Sequence, residues 1–260
     1  MKPSTHIFSG MGNSLVNLKM LGIDGRSVRF IKRSDFKDML KLEELDLSHN
    51  PINYIPEDCF YDLSALKVLS LRDCMIKKIP TKLFINLPHL EVLDLSENKL
   101  TILPDDIFIN NLKLIELNLS ENHDLDIAED SNIDLPHLEK LHLRQTNLKQ
   151  FSKNLLTNPK KLKKLFLHDT KLTHLDREVT QLMPNLEVLW LDQNPIQLTE
   201  ESFIDFPNLI ELRLNKCELK DLPENIFKPL TELEIIWLES NNFIVVPESL
   251  FANNLRLKEI

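Results

Sequence analysis

The sequence predicts an α/β solenoid, a curved horseshoe in which a parallel sheet lines the concave face and irregular, short-helical segments form the convex one. Three observations carry this. One phrase recurs: Leu42-Glu-Glu-Leu45-Asp-Leu47-Ser-His-Asn50, then Leu90-Glu-Val-Leu93-Asp-Leu95-Ser-Glu-Asn98, then Leu186-Glu-Val-Leu189-Trp-Leu191-Asp-Gln-Asn194. Its copies open at Leu18, Leu42, Leu66, Leu90, Leu114, Leu138, Leu162, Leu186, Leu209, Leu233 and Leu257, a step of 24 residues except for 23 between Leu186 and Leu209. A second phrase follows in many units, an apolar residue and Pro with Phe four residues after the Pro, as in Pro56 to Phe60, Pro80 to Phe84, Pro104 to Phe108, Pro223 to Phe227 and Pro247 to Phe251. A fixed period of this length marks supersecondary units that bury their leucines only by stacking.

Each part of the unit has a physical reason. The stretch around Leu45-Asp46-Leu47 alternates apolar and polar residues, which reads as a short strand with leucines inward. The ninth position holds Asn50, Asn98, Asn122, Asn194 and Asn241, with Cys74, Cys217, Thr146 and Thr170 as substitutes. A buried amide there reaches backbone groups of the adjacent turn and ties neighbouring units together. The Pro-to-Phe half forms the convex side, its rings plugging the space between layers. Ten strands about 4.8 Å apart make a sheet roughly 45 to 50 Å long, and the wider convex half forces curvature.

This L-x-x-L-x-L-x-x-N-x-L pattern resembles the leucine-rich repeat family. The 24-residue unit with its L-P-x-x-x-F-x-x-L convex phrase is similar to the "typical" class found in animal extracellular proteins such as Toll-like receptor ectodomains, Slit-type guidance proteins and insect immune proteins. The chain then divides into a degraded repeat or cap remnant at 1–17, ten repeats at 18–256, and the start of an eleventh at 257–260. Arg26 stands where the first unit should carry its Asn. Ectodomains of this class usually carry terminal cysteine clusters, and the three cysteines here form none. With the stop in mid-repeat, that predicts an uncapped interior stretch of something longer.

Composition excludes several functions. The net charge of -9 argues against a nucleic-acid partner, which needs a basic face. No apolar run is long enough to span a membrane, and the first residues lack a secretion signal's apolar stretch. The four glycines end at Gly25, and Gly10-Met11-Gly12 alone is too weak to suggest a phosphate-cradling loop or nucleophile elbow. No H-E-x-x-H, zinc spacing or triad signature occurs, so no catalysis, cofactor or metal is expected. His142 and His168 are expected to be solvated surface histidines rather than metal ligands. Cys59, Cys74 and Cys217 are expected to be buried free thiols, and a Cys74–Cys217 bridge would have to span six repeat steps. Asn118-Leu119-Ser120 is the one N-x-S/T sequon, a possible glycosylation site on the inner face.

The repeat also assigns side chains to faces. The residue between the two strand leucines projects onto the inner face, and its column reads Gly22, Asp46, Ser70, Asp94, Asn118, His142, Phe166, Trp190, Arg213, Trp237. Units 2 to 5 present small and acidic groups there and beside it. Units 6 to 10 present Lys140, Arg144, Lys164, His168 and Arg213 around Phe166, Trp190 and Trp237, with both tryptophans pointing at solvent. Either these aromatics pack on each other and on Arg213, or they form the centre of a partner-binding surface together with His142, Lys164, Arg144 and His168. The expected function is protein recognition on the concave face, in an extracellular innate-immune or cell-adhesion receptor or a secreted protein. Acidic groups of the partner would face the basic residues, and assembly as a homodimer or heterodimer is possible. The alternative is an intracellular scaffold binding a cytosolic protein.

Overall fold

The computed structural model describes residues 15–25, 27–127, 133–153, 155–156 and 158–260. Most of the expected N-terminal remnant, and Arg26, lie outside the described residues. Ten three-residue strands form one parallel sheet in strict chain order: β1 (Met20–Gly22), β2 (Glu44–Asp46), β3 (Val68–Ser70), β4 (Val92–Asp94), β5 (Glu116–Asn118), β6 (Lys140–His142), β7 (Lys164–Phe166), β8 (Val188–Trp190), β9 (Glu211–Arg213) and β10 (Ile235–Trp237). The strands begin one residue earlier than the leucine pattern alone suggests. The ladder nevertheless runs past them: the Leu47 N–H donates to the Ser70 carbonyl at 3.0 Å and the His49 N–H to Arg72 at 2.9 Å. The register never slips. Leu45 faces Leu69, Leu69 faces Leu93, and so on to Leu212 and Ile236. Across the single 23-residue step Leu189 still faces Leu212.

The core is one continuous column of these leucines, most of them fully buried. The ladder residues tie its layers. The Asn98 amide donates to the Leu71, Leu95 and Ser96 carbonyls at 2.8 to 3.0 Å. Its oxygen accepts the Cys74 N–H at 3.2 Å and the Ile76 N–H at 2.9 Å. Asn50, Asn122, Asn194 and Asn241 repeat the arrangement. Cys74 and Cys217 sit in the same slot, each thiol donating to a carbonyl of the preceding unit. All three cysteines are free and buried. Burial pushes the Cys74 thiol up to about 12 and Cys217 to about 11, and raises Cys59 further still.

Just before the ladder residue the chain turns through a left-handed residue: Gly25, His49, Asp73, Glu97, Glu121, Gln145, Asp169, Gln193, Lys216 and Ser240 all have φ between 50° and 59°. Nine of these ten residues are not glycine. Left-handed backbone costs such residues about 1 kcal/mol. The flanking ladder bonds hold the turn in place, which is why sharp turning leaves no glycine signal in the sequence.

On the convex side the phenylalanines stack, Phe84 on Phe108 at 6.3 Å and Phe227 on Phe251 at 5.5 Å, with nearly parallel rings in both cases. Unit 7 carries Asp176 where other units have Pro and Thr180 where they have Phe, and there a short helix forms, α1 (Arg177–Thr180). Thr180 is buried and its hydroxyl donates to Asp205 at 2.8 Å. No helix among the described residues is long and apolar enough to cross a membrane.

A charged stripe reinforces the register along the edge where the strands begin. Lys19 and Lys67 bracket Glu43 at 2.9 and 2.7 Å, and Lys163–Glu139 and Lys258–Glu234 repeat the pairing one unit apart. Lys67 and Lys19 hold the Glu43 carboxyl down at about 2. Each such surface pair contributes little, but a one-unit slip or a misplaced unit would set like charges together.

Candidate functional site

The inner face is built by β5 to β10, whose constant register sets equivalent side chains one strand spacing apart. In-column aromatic rings therefore touch. The His142 ring stacks on Phe166 with centroids 4.4 Å apart, and Phe166 meets the Trp190 ring edge-on at 4.6 Å. Arg213 lies over Trp190, its guanidinium carbon 3.8 Å from the ring centroid, and 5.8 Å from that of Trp237. His168, on the next column, tilts against Trp190 at 5.6 Å. The structure thus brings His142, Phe166, Trp190, Arg213, Trp237 and His168 into one continuous band.

Three sequence expectations are corrected by this packing. Phe166 is not exposed: with His142 on one side and Trp190 on the other, only 8% of its surface meets solvent. The tryptophans are half-buried rather than standing free. Packing of the aromatics on one another and on Arg213 is what the structure contains, and the band's partial exposure is shared by His142, His168, Trp190, Arg213 and Trp237. His142 and His168 are only partly solvated. His142 is half-buried and its Nε2 lies 3.1 Å from Glu116. Burial lowers its basicity, although Glu116 opposes this. His168 has a buried Nδ1 without a hydrogen-bond partner. Burial first, then the charges of Arg144 and Arg213, push it down to about 4, so it is neutral near pH 7.

The basic half of the face is also less basic than its residue types suggest. Glu116 accepts Lys140 at 2.8 Å, and Lys140 with His142 outweighs burial to hold its carboxyl below the usual range. Arg144 pairs with Glu121 at 3.5 Å. Glu211 Oε1 accepts both the Arg213 Nε–H at 2.7 Å and the Trp190 Nε1–H at 3.0 Å. Lys164 is half-buried with no carboxylate in ion-pair range among the described residues. Glu211 is not among the residues that the sequence singles out. The signal was available, because two residues apart on a strand share a face, which puts Glu211 beside Arg213.

Toward the centre of the sheet the band opens into a recess of about 300 Å³, walled by Arg72, Asn118, Ser120, Arg144, His168 and Trp190. Asn118, the sequon residue, is half-buried there, its oxygen accepting the Ser120 N–H at 3.1 Å. On the N-terminal side the acidic groups are absorbed locally: Asp46 accepts the Ser48 hydroxyl and Asp94 that of Ser96, at 2.5 and 2.6 Å. Among the described residues no group of three or more His, Cys, Asp or Glu is arranged to hold a metal ion.

Comparison with known proteins agrees with this architecture. The leucine rich repeat family profile matches residues 16–76, 64–123 and 136–196. No curated protein matches the sequence. Among solved structures, a leucine-rich repeat protein of Leptospira interrogans superposes with a TM-score of 0.77 at 27% identity, covering 94% of this chain and 60% of that one. Toll, in its Drosophila complex with Spatzle, superposes with a TM-score of 0.80 at 24% identity, over 94% of this chain and 32% of its own. The APL1 leucine-rich repeat domain gives 0.67 at 22%, over 87% and 57%. The chain therefore spans less than two thirds of each of these proteins. With the repeat matched over most of its length and its strands, ladder and register in place, the chain belongs to the leucine-rich repeat family.

Proposed function

We propose that this chain recognises a protein partner through the concave face of repeats 6 to 10, centred on Trp190, Arg213 and Trp237 with Phe166, His142, His168, Arg144 and Lys164 around them. The observation that carries the reading is the continuous ring-and-guanidinium band along the concave sheet. Rigid aromatic and arginine side chains, held by their neighbours before any partner arrives, lose little entropy on binding. Leucine-rich repeat domains are protein-interaction modules in general, and Toll is a neighbour whose structure was determined with Spatzle. Since the face's cations are largely paired internally, the partner contributes apolar and hydrogen-bonding groups at the centre and meets the free Lys164 with an acid.

A photo-crosslinking side chain at Trp237, compared with one at the convex Lys82, tests this reading: adducts with the partner are expected from the first position and not the second. Equal labelling from both would refute it.

An extracellular receptor or secreted protein, of the innate-immune or adhesion kind, is the setting the resemblance to Toll and APL1 favours. A second reading, the intracellular scaffold, draws on three buried free thiols, which suit a reducing compartment. A membrane-impermeant biotin reagent applied to intact cells separates the two: labelled chain supports the first, chain protected until lysis the second. In the secretory pathway a glycan on Asn118 would stand in the recess beside His142 and Trp190. Partner-bound chain is therefore expected to lack it, and recovering bound chain that still carries a glycan would contradict the placement of the site. Pairing of two copies through the same face is checked by sedimentation, where Trp237→Ala would abolish a dimer.

A further inference from the structure

A second exposed surface lies away from the concave sheet, on the segments that follow the ladder residues in repeats 1 to 4. These read Ser27-Val28-Arg29-Phe30, Pro51-Ile52-Asn53-Tyr54, Met75-Ile76-Lys77-Lys78 and Lys99-Leu100-Thr101-Ile102. In each, the second residue is buried in the core, while the third and fourth stand out from it. The result is a patch of large apolar groups, Phe30 56% exposed, Tyr54 64%, Met75 43% and Ile102 57%. It is interleaved with Arg29, Lys77, Lys78 and Lys99.

Two features set this patch apart from the rest of a surface with net charge -9. The four segments contain no carboxylate, and none of the four cations lies within ion-pair distance of one among the described residues. Elsewhere many lysines and arginines pair with a carboxylate of a neighbouring unit, as Lys67, Arg144, Lys163 and Lys258 do. The patch is also rigid. The ladder amides fix its backbone, Asn50 accepting the Val28 N–H at 2.9 Å, Asn98 that of Ile76 at 2.9 Å and Asn122 that of Leu100 at 3.0 Å. It ends at repeat 5, where Asp124 and Asp126 occupy the corresponding segment. Within it is a recess of about 310 Å³ lined by Arg29, Phe30, Pro51, Asn53 and Met75.

We infer that this flank is a second docking surface, for a protein segment that carries carboxylates beside one bulky apolar side chain. The apolar side chain seats in the recess between Phe30 and Met75, and the carboxylates meet Arg29, Lys77, Lys78 and Lys99. Unpaired cations on an acidic protein attract an acidic ligand and set its orientation. A recess that admits a single side chain favours a protein segment over a lipid surface, which presents no such group. The surrounding negative charge works against a polyanion longer than the patch, such as a nucleic acid. The surface shares no residue with the concave band and does not rest on that reading.

The test uses a labelled random copolymer of glutamate and tyrosine as the probe, with polyglutamate and phosphatidylserine vesicles beside it. The unmodified chain is expected to bind the copolymer in a salt-sensitive way, and polyglutamate and vesicles at least about tenfold more weakly. The double variant Lys77→Glu, Lys78→Glu and the single variant Phe30→Ala are each expected to lose about tenfold or more in affinity. All three positions are exposed, so their folding is unaffected, and circular dichroism verifies it. Trp237→Ala should bind the copolymer unchanged, which keeps this result separate from the concave site. Absence of copolymer binding overturns the inference. So does unchanged affinity in the charge-reversed variant, or vesicle or polyglutamate binding as tight as that of the copolymer.

Discussion

Arg213 covers one face of Trp190 at 3.8 Å while both donate to the same oxygen of Glu211, a half-buried carboxylate on the adjacent column. One acceptor thus positions both the indole and the guanidinium of the concave band. Replacing Glu211 with Ala leaves the Trp190 N–H and the Arg213 fork without a partner, and a loss of about 1–2 kcal/mol in unfolding free energy is expected. Glu211→Gln retains an acceptor oxygen and should lose less than half as much. The Trp190 emission should shift to the red in Glu211→Ala as its ring is released to water. Unchanged emission and stability would show that Glu211 holds neither group.

The asparagine ladder makes a sharper demand. Asn98 is 5% exposed and serves two backbone N–H groups and three carbonyls. Asn98→Ala strands both N–H groups and the Leu71 and Leu95 carbonyls inside the stack, while the Ser96 carbonyl keeps the Asp73 N–H, and should cost about 3 kcal/mol in urea unfolding. Asn98→Cys should recover part of the loss, because Cys74 already fills that slot with a thiol that donates to the Leu47 carbonyl.

The left-handed turn before each ladder residue is strained in nine of ten units, and Gln193 shows it in isolation, with φ 59° and an exposed side chain. Glycine adopts that conformation without a Cβ clash, so Gln193→Gly is expected to stabilise the chain by about 0.5–1 kcal/mol. The same change at an ordinary exposed position destabilises. A loss of stability at Gln193 would mean that its side chain, not its backbone, matters there.

His168 sets a pH dependence whose sign follows from its burial. Its pKa is about 4 in the folded chain and 6.5 as a free side chain, so between these values the unfolded chain binds the extra proton. Stability is then complete above pH 6.5, falls as pH drops toward 4, and loses nothing further from this group below that. Because one edge of the ring meets solvent, the loss is about 1–2 kcal/mol rather than the full value of the shift. His168→Gln should flatten the slope of unfolding free energy between pH 4 and 6.5. A slope that survives the substitution would assign it to other groups.

Much of this was legible in the sequence because the repeat holds its register over every step. Once Leu45 pairs with Leu69, each later residue inherits a face, so the core, the ladder amides and the concave columns follow from spacing alone. The same inheritance placed Phe166, Trp190, Arg213 and Trp237 in one column, yet a column names only a direction. Whether a side chain on it stands free depends on what the next unit offers. His142 and Trp190 close over Phe166, and Glu116, Glu121 and Glu211 neutralise cations that look unpaired in the sequence. The left-handed turns were invisible for a different reason, since the ladder imposes them on Asp, Glu, Gln and Lys alike. Helix α1 appears where Pro and Phe are replaced by Asp176 and Thr180, a departure visible in the sequence but silent about what takes their place.

The burial of Phe166 also decides how the central claim is tested. Truncating that ring opens a cavity in the band and confounds binding with stability, whereas Trp237, half-buried at the end of the band, is less subject to that defect. The decisive measurement is the affinity of the concave-face partner, recovered by crosslinking from Trp237, for Trp237→Ala and Arg213→Ala against the unmodified chain. The account expects each variant to bind at least about tenfold more weakly while keeping its circular dichroism. Affinity unchanged in both would contradict it.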